Sequence, residues 1–109
     1  MTAKELSAAL NLKIAVEGAP EKQISTVYCC DLLSIVMGRA PANSAWVTVM
    51  GNMNSVAVAS LAEIGAIILA DGVQPDENAI KRAEENGINI FLSEDPVFET
   101  ALKIHGAIN

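Results

Sequence analysis

An α/β domain is the fold class this sequence predicts, and three observations predict it. From residue 45 onward, stretches of strand character alternate with segments of helical character across short joints. That alternation implies mostly parallel strands joined by crossover helices. The run Ala66-Ile67-Ile68-Leu69-Ala70 is continuously apolar, as in a strand covered on both faces. The 109 residues suit one domain with one core, so a single domain over 1–109 is expected.

The elements follow in chain order. Thr2 and Glu5 stand at capping-box spacing, and Leu6 and Leu10 share one helical face, so Thr2 to Leu10 reads as a helix. Leu12 to Val16 alternates as a short strand until Glu17-Gly18-Ala19-Pro20 breaks it. Thr26 to Cys29 is β-rich and forms a second strand. Asp31 is a good N-cap for a helix from Leu32 to Met37, with Gly38 as its stop and Pro41 just beyond. Ala45 to Met50 is the third strand. Gly51-Asn52-Met53-Asn54 turns into a helix from Ser55 to Ile64, ended by Gly65. Ala66 to Ala70 is the fourth strand, and Asp71-Gly72 a turn. Pro75-Asp76 opens a helix from Glu77 to Asn86, with Gly87 at its C′ position. Ile88 to Leu92 is the fifth strand. Asp95-Pro96, a cap followed by proline at the first helical position, opens the last helix, to about His105.

Composition removes several functions. Hydrophobic residues make up 51% and charged residues 18%, as in a compact globular domain. The net charge is −6 and no Lys/Arg cluster occurs, which argues against nucleic acid and anionic membrane as partners. No apolar run approaches the roughly 20 residues of a membrane span. Met1-Thr2-Ala3-Lys4-Glu5 runs straight into a helical pattern. Cys29 and Cys30 are adjacent, a spacing at which a disulfide strains the intervening peptide. The expectation is a reduced, cytoplasmic protein whose cysteines are buried and structural.

Ligands of open α/β sheets gather at the carboxyl ends of the strands. That rim carries Cys29, Cys30 and Asp31, then Gly51, Asn52, Asn54 and Ser55, then Asp71 and Gly72, and Ser93. Helix N-termini there offer N–H groups to an anion. Gly51 would let a ligand approach the backbone, and Asn52, Asn54 and Ser55 could hydrogen-bond a sugar or phosphate. Turns and caps need the same residue types. The chain has no Walker-type lysine and no G-x-G-x-x-G, and Arg39 is the basic residue expected in a nearby loop. No catalytic set forms: His105 is the lone histidine and follows Phe98, Ala101 and Leu102 at helical spacing, so it packs at the core edge or meets the helix C-terminus. Two adjacent cysteines and a distant histidine do not make a metal site. No cofactor is expected. Glu77, Glu84, Glu85, Glu94, Asp95 and Glu99 read as helix starts and solvated faces.

The segment Ser55 to Ile64 has almost no polar face. A helix apolar all round needs burial all round. Its small residues permit close helix approach, so Val56, Ala57, Ala59 and Ser60 are the expected contact of an isologous homodimer.

The stretches Asp31 to Gly38, Trp46-Val47-Thr48, Asn54 to Leu61 and Ala66 to Asp76, with Gly87 and Phe98, resemble the DRTGG domain family over about residues 5 to 106. Members occur beside CBS domains in regulated pyrophosphatases, in long phosphotransacetylases and as stand-alone short proteins. The resemblance implies a three-layer α/β/α sandwich, similar to the N-terminal domain of HPr kinase/phosphatase. It also implies a regulatory, often dimeric module that senses a nucleotide. Where the family has Asp-Arg this chain carries Asn52 and Met53, and where it has Thr-Gly-Gly it carries Ala70, Asp71 and Gly72. The reading is therefore a non-catalytic module, homodimeric, binding an adenine nucleotide at Gly51, Asn52, Asn54, Ser55, Asp71 and Gly72, and acting on a partner enzyme. Two alternatives stand beside it: a small kinase- or phosphotransferase-related enzyme, and a degenerate protein–protein docking scaffold.

Overall fold

The computed structural model describes residues 1–109. Ten elements form: α1 (Ala3–Ala9), β1 (Lys13–Val16), β2 (Thr26–Cys29), α2 (Leu33–Arg39), β3 (Ser44–Thr48), α3 (Met53–Leu61), β4 (Ala66–Leu69), α4 (Glu77–Asn86), β5 (Ile90–Leu92) and α5 (Val97–Ile108). The strands make one five-stranded sheet in the order β1-β5-β4-β3-β2. The β2–β3, β3–β4 and β4–β5 pairs are parallel. β1 returns to the far edge and pairs antiparallel with β5.

Alternation along the strands sends side chains to two separate cores. Trp46, Ile67, Leu69, Ile90 and Leu92 pack under Val36 of α2, Val56 and Ala59 of α3, and Ala79 and Ala83 of α4. Ala45, Val47, Ala66, Ile68 and Phe91 pack under Leu6 of α1 and Ile104 of α5. The result is the three-layer α/β/α sandwich. Phe91, fully buried, contributes roughly 2–3 kcal/mol by burial alone. β3 and β4 are buried along their whole length, as the apolar run at Ala66 to Ala70 foretells.

Several boundaries differ from expectation for identifiable reasons. The Thr2–Glu5 capping box forms in both directions, at 3.1 and 2.8 Å. Asp31, by contrast, does not cap α2; Leu32 takes the N-cap position without a side-chain bond. The Asp31 carboxylate instead accepts from Thr48 Oγ1 at 2.7 Å and from the Val49 amide at 3.2 Å. It ties the carboxyl end of β2 to that of β3. Gly38 does not end α2 either: the helix runs to Arg39 and stops at Ala40, which is extended. Ala40 precedes Pro41, and the residue before proline is pushed out of the helical region.

α3 starts and stops earlier than its apolar pattern suggests. It ends in a Schellman turn, with the Ile64 amide donating to Ala59 O at 2.9 Å and the Glu63 amide to Ser60 O at 3.3 Å. Glu63 occupies the left-handed position at φ 56, where a non-glycine residue is disfavoured. The stop lies at Glu63, two residues before Gly65. Replacing the exposed Glu63 by glycine is expected to stabilise the fold by about 0.5–1 kcal/mol, read as a higher urea midpoint at unchanged slope; an unaltered midpoint would refute it. The same turn closes α1 at Asn11 (φ 53), with the Leu12 amide donating to Ser7 O at 2.9 Å. It closes α4 at Gly87 (φ 66), with the Ile88 amide donating to Ala83 O at 2.9 Å.

At the C-terminal end, β5 begins only at Ile90, and α5 runs past His105 to Ile108. Asp95 does not cap α5; Pro96 stands at its N-cap, and Asp95 pairs with Lys103 at 2.6 Å. No helix is long and apolar enough to cross a membrane.

Candidate functional site

The fold brings the carboxyl ends of β2, β3, β4 and β5 to one rim, because all four strands run parallel. Gly51, Asn52, Asn54 and Ser55 follow β3, and Asp71 and Gly72 follow the adjacent β4. Asn52 is the N-cap of α3: its Oδ1 accepts from the Ser55 amide at 3.0 Å and lies 3.4 Å from Ser55 Oγ. Ser55 is buried, while Asn54 and Asp71 are exposed. Asn52 and Ser55 therefore hold each other and leave Asn54 and Asp71 as the free polar groups of this turn.

Both rim glycines are fitted to neighbouring loops. A Cβ on Gly51 would stand 2.9 Å from Gln74 O and 3.0 Å from Pro75 Cα. The Gly51 carbonyl accepts from the Asp76 amide at 2.8 Å. Gly72 is left-handed at φ 70, and a Cβ there would stand 2.9 Å from Glu94 Oε2. The loops after β4 and β5 are stitched together: the Asp71 amide donates to Asp95 O at 2.8 Å and the Gly72 amide to Ser93 O at 3.0 Å.

The connections after β2, β3 and β4 place α2, α3 and α4 on one face, whereas β5 is followed by α5 on the other. β5 is thus where the crossovers change face. Beside it, on the β1 side, lies a crevice of about 230 Å³ walled by Leu10, Leu12, Lys13, Leu92, Glu94 and Lys103 among others. Its first wall is the Schellman turn of α1 running into β1. The second is the β5–α5 loop. That loop is held rigid by a closed set of bonds: the Asp95 amide donates to Ser93 Oγ at 3.2 Å, Ser93 Oγ and Thr100 Oγ1 are 2.8 Å apart, and Thr100 Oγ1 donates to Asp95 O at 3.1 Å.

Other candidate residues take different places. Arg39 sits in the last turn of α2, which has already carried the chain back toward the start of β3, away from the rim. Arg82 of α4 reaches the start of α3, with a guanidinium nitrogen 3.7 Å from Met53 Sδ. His105 lies exposed in the last turn of α5, with Nδ1 3.1 Å from Asn109 Nδ2. No three His, Cys, Asp or Glu side chains converge as metal ligands. Cys29 is exposed and Cys30 half-buried, against the expectation of buried cysteines, because β2 is an edge strand. Partial burial and then the Asp31 carboxylate push the Cys29 thiol above its ordinary range. Alkylation of Cys29 at about pH 8 is expected to run slower than that of an unperturbed thiol, as peptide mass spectrometry would show; equal rates would contradict it.

In α3, Val56 and Ala59 are buried in the protomer's own core, Ala57 is half-buried and Ser60 exposed. The helix lies between α2 and α4, which cover its flanks. That arrangement explains its apolar sides within one chain and leaves Leu61, 70% exposed, on the outside.

Residues 6–107 match the DRTGG domain. The chain belongs to that family. Among solved structures, this DRTGG domain is similar to the CBS and DRTGG domains of the regulatory region of Clostridium perfringens pyrophosphatase, complexed with its activator diadenosine tetraphosphate. The TM-score is 0.69 at 14% identity, over 94% of this chain and 45% of that one. The DRTGG domain here therefore spans less than half of that structure's chain, and at this identity the likeness is one of fold. No curated protein matches the chain. The positions that stand where the family has Asp-Arg and Thr-Gly-Gly, Asn52-Met53 and Ala70-Asp71-Gly72, follow adjacent strands of the rim.

Proposed function

We propose that this DRTGG domain is a non-catalytic, cytoplasmic regulatory module that senses a small ligand, self-associates and acts on a partner enzyme. The match over nearly the whole chain to a domain found in a pyrophosphatase regulatory region carries this reading. The ligand of that regulatory region, diadenosine tetraphosphate, suggests an adenine nucleotide at the rim of Gly51, Asn52, Asn54, Ser55, Asp71 and Gly72. Asn54, Asp71 and the nearby Arg82 are the groups free to meet it. The chemistry around the rim supports a binding role. Ser93 and Thr100 spend their hydroxyls on each other and on the loop backbone, and Cys29 is disfavoured as a thiolate. Self-association would use the outward side of α3, around Ala57, Ser60 and Leu61.

Two measurements test the reading. Calorimetry with AMP, ADP, ATP and diadenosine tetraphosphate is expected to give saturable heat with at least one of them. Sedimentation is expected to show a dimer that Leu61→Glu dissociates. No heat from any nucleotide would remove the nucleotide, and a monomer at high micromolar concentration would remove the dimer.

A further inference from the structure

We infer that the β2 edge of the sheet, with the exposed flank of α5 above it, binds a second copy of this chain, so that two sheets join about a two-fold axis into one. The inference rests on the self-association in the reading above and moves its contact from α3 to the sheet edge. The two edges of the sheet, β1 and β2, are not alike. β1 carries Lys13 and a break in register between Ile14 and Val16, features that blunt an edge against further pairing. β2 is Thr26-Val27-Tyr28-Cys29 in unbroken register with β3. It has no charge, no proline and no bulge.

The open backbone groups of β2 follow from the ladder. The Thr48 carbonyl faces β4, where it accepts from the Ala70 amide at 3.0 Å. Alternation along β3 then turns the backbone groups of Ala45 and Val47 toward β2. Val27 stands beside Ala45 and Cys29 beside Val47, so the residues of β2 that bond β3 are Thr26 and Tyr28. Val27 and Cys29 turn their N–H and C=O groups outward. In an antiparallel pair about a two-fold at Tyr28, Val27 of each copy stands opposite Cys29 of the other. All the outward N–H and C=O groups of the two strands then have partners.

Side chains and charge select a second copy as the occupant. α5 lies over β2 and β3. Its Lys103 turns to Asp95 and to the crevice on the β1 side. Phe98 and Leu102, 69% and 57% exposed, stand one turn apart on the other flank, above the β2 edge. His105 follows them one turn on, so that flank carries no carboxylate. Two copies of net charge −6 repel each other wherever acidic side chains meet. β2 and this flank of α5 form a strip where none do. An extended peptide added to β2 would gain only the backbone bonds of a four-residue strand. A second copy brings its own Phe98 and Leu102 against these, in an isologous contact that closes on itself.

The test joins sedimentation of the full chain with amide exchange followed by NMR. Phe98→Glu and Cys29→Lys should each weaken the dimer at least about tenfold, while Leu61→Glu leaves it intact. Positions 29, 61 and 98 are exposed, and unchanged amide shifts away from the substitutions will show that the variants are folded. The Val27 and Cys29 amides should exchange at least about tenfold more slowly in the dimer than in a dilute, monomeric sample. A dimer that survives either edge substitution, or one whose Val27 and Cys29 amides exchange as freely as in the monomer, overturns the inference. If Leu61→Glu dissociates that dimer, the α3 contact stands in its place. A monomer at high micromolar concentration removes self-association altogether, this edge included.

Discussion

Replacing Asn89 with alanine is expected to remove about 3–5 kcal/mol of folding free energy. Asn89 is only 1% exposed and uses both ends of its amide. Its Nδ2 donates to Ala19 O at 2.8 Å and to Gly65 O at 2.9 Å, and its Oδ1 accepts from the Ala19 amide at 2.8 Å. It thereby joins the loop after β1, the start of β4 and the approach to β5. Alanine would leave backbone groups on both loops without partners, and each buried orphan costs about 1–3 kcal/mol. Leucine would fill the space without restoring the bonds. Aspartate keeps the acceptor for Ala19 but sets a carboxylate against two carbonyl oxygens. Urea unfolding should therefore rank wild type well above all three variants. An alanine variant within about 1 kcal/mol of wild type would show that water takes over these bonds.

Gly18→Ala is the second large effect, and its mechanism is steric. A Cβ at Gly18 would stand 2.5 Å from Ile88 N and 2.6 Å from Gly87 C and Ile88 O. All three are backbone atoms, so no side chain can rotate aside. The loop or the Gly87-Ile88 approach to β5 must shift, at a cost of about 2–3 kcal/mol or more. Thermal unfolding reads it, and a melting temperature equal to wild type would mean that the 17–20 loop adapts freely. Gly18 and Asn89 serve the same junction. Their double variant should lose less than the sum of the single losses, because neighbouring sites that share contacts are not additive.

The sequence carried the main architecture because its signals were local. The capping box at Thr2, the strand at Thr26 to Cys29, the helix at Glu77 to Asn86 and the left-handed Gly87 needed only near neighbours, and all formed. What escaped required tertiary contact. Asp31 has the composition of a cap, but its carboxylate is taken by Thr48 and Val49, distant in sequence and adjacent in space. The end of α3 fell on Glu63, a residue type that rarely signals a left-handed stop. The rim was legible from strand ends alone, and Ser93 stood on it. The crevice was not, because its Leu10 to Lys13 wall depends on β1 returning beside β5, and no local pattern announces an antiparallel return to the far edge.

That return also orders events in time. β2 to β5 lie in the sheet as they lie in the chain, each parallel pair joined through one helix, so their contacts close short loops. β1 meets β5 from nearly the opposite end of the sequence, with Lys13 beside Leu92, and closure entropy rises with that separation. The β2–β5 unit is expected to assemble first and the α1–β1 arm to dock last and detach first. Amide exchange at Ile14, compared with that at Ile68 in the central β4, reads the difference. The crevice has one wall on each of these units, so a molecule lodged there would act as a clasp and slow the opening of the arm.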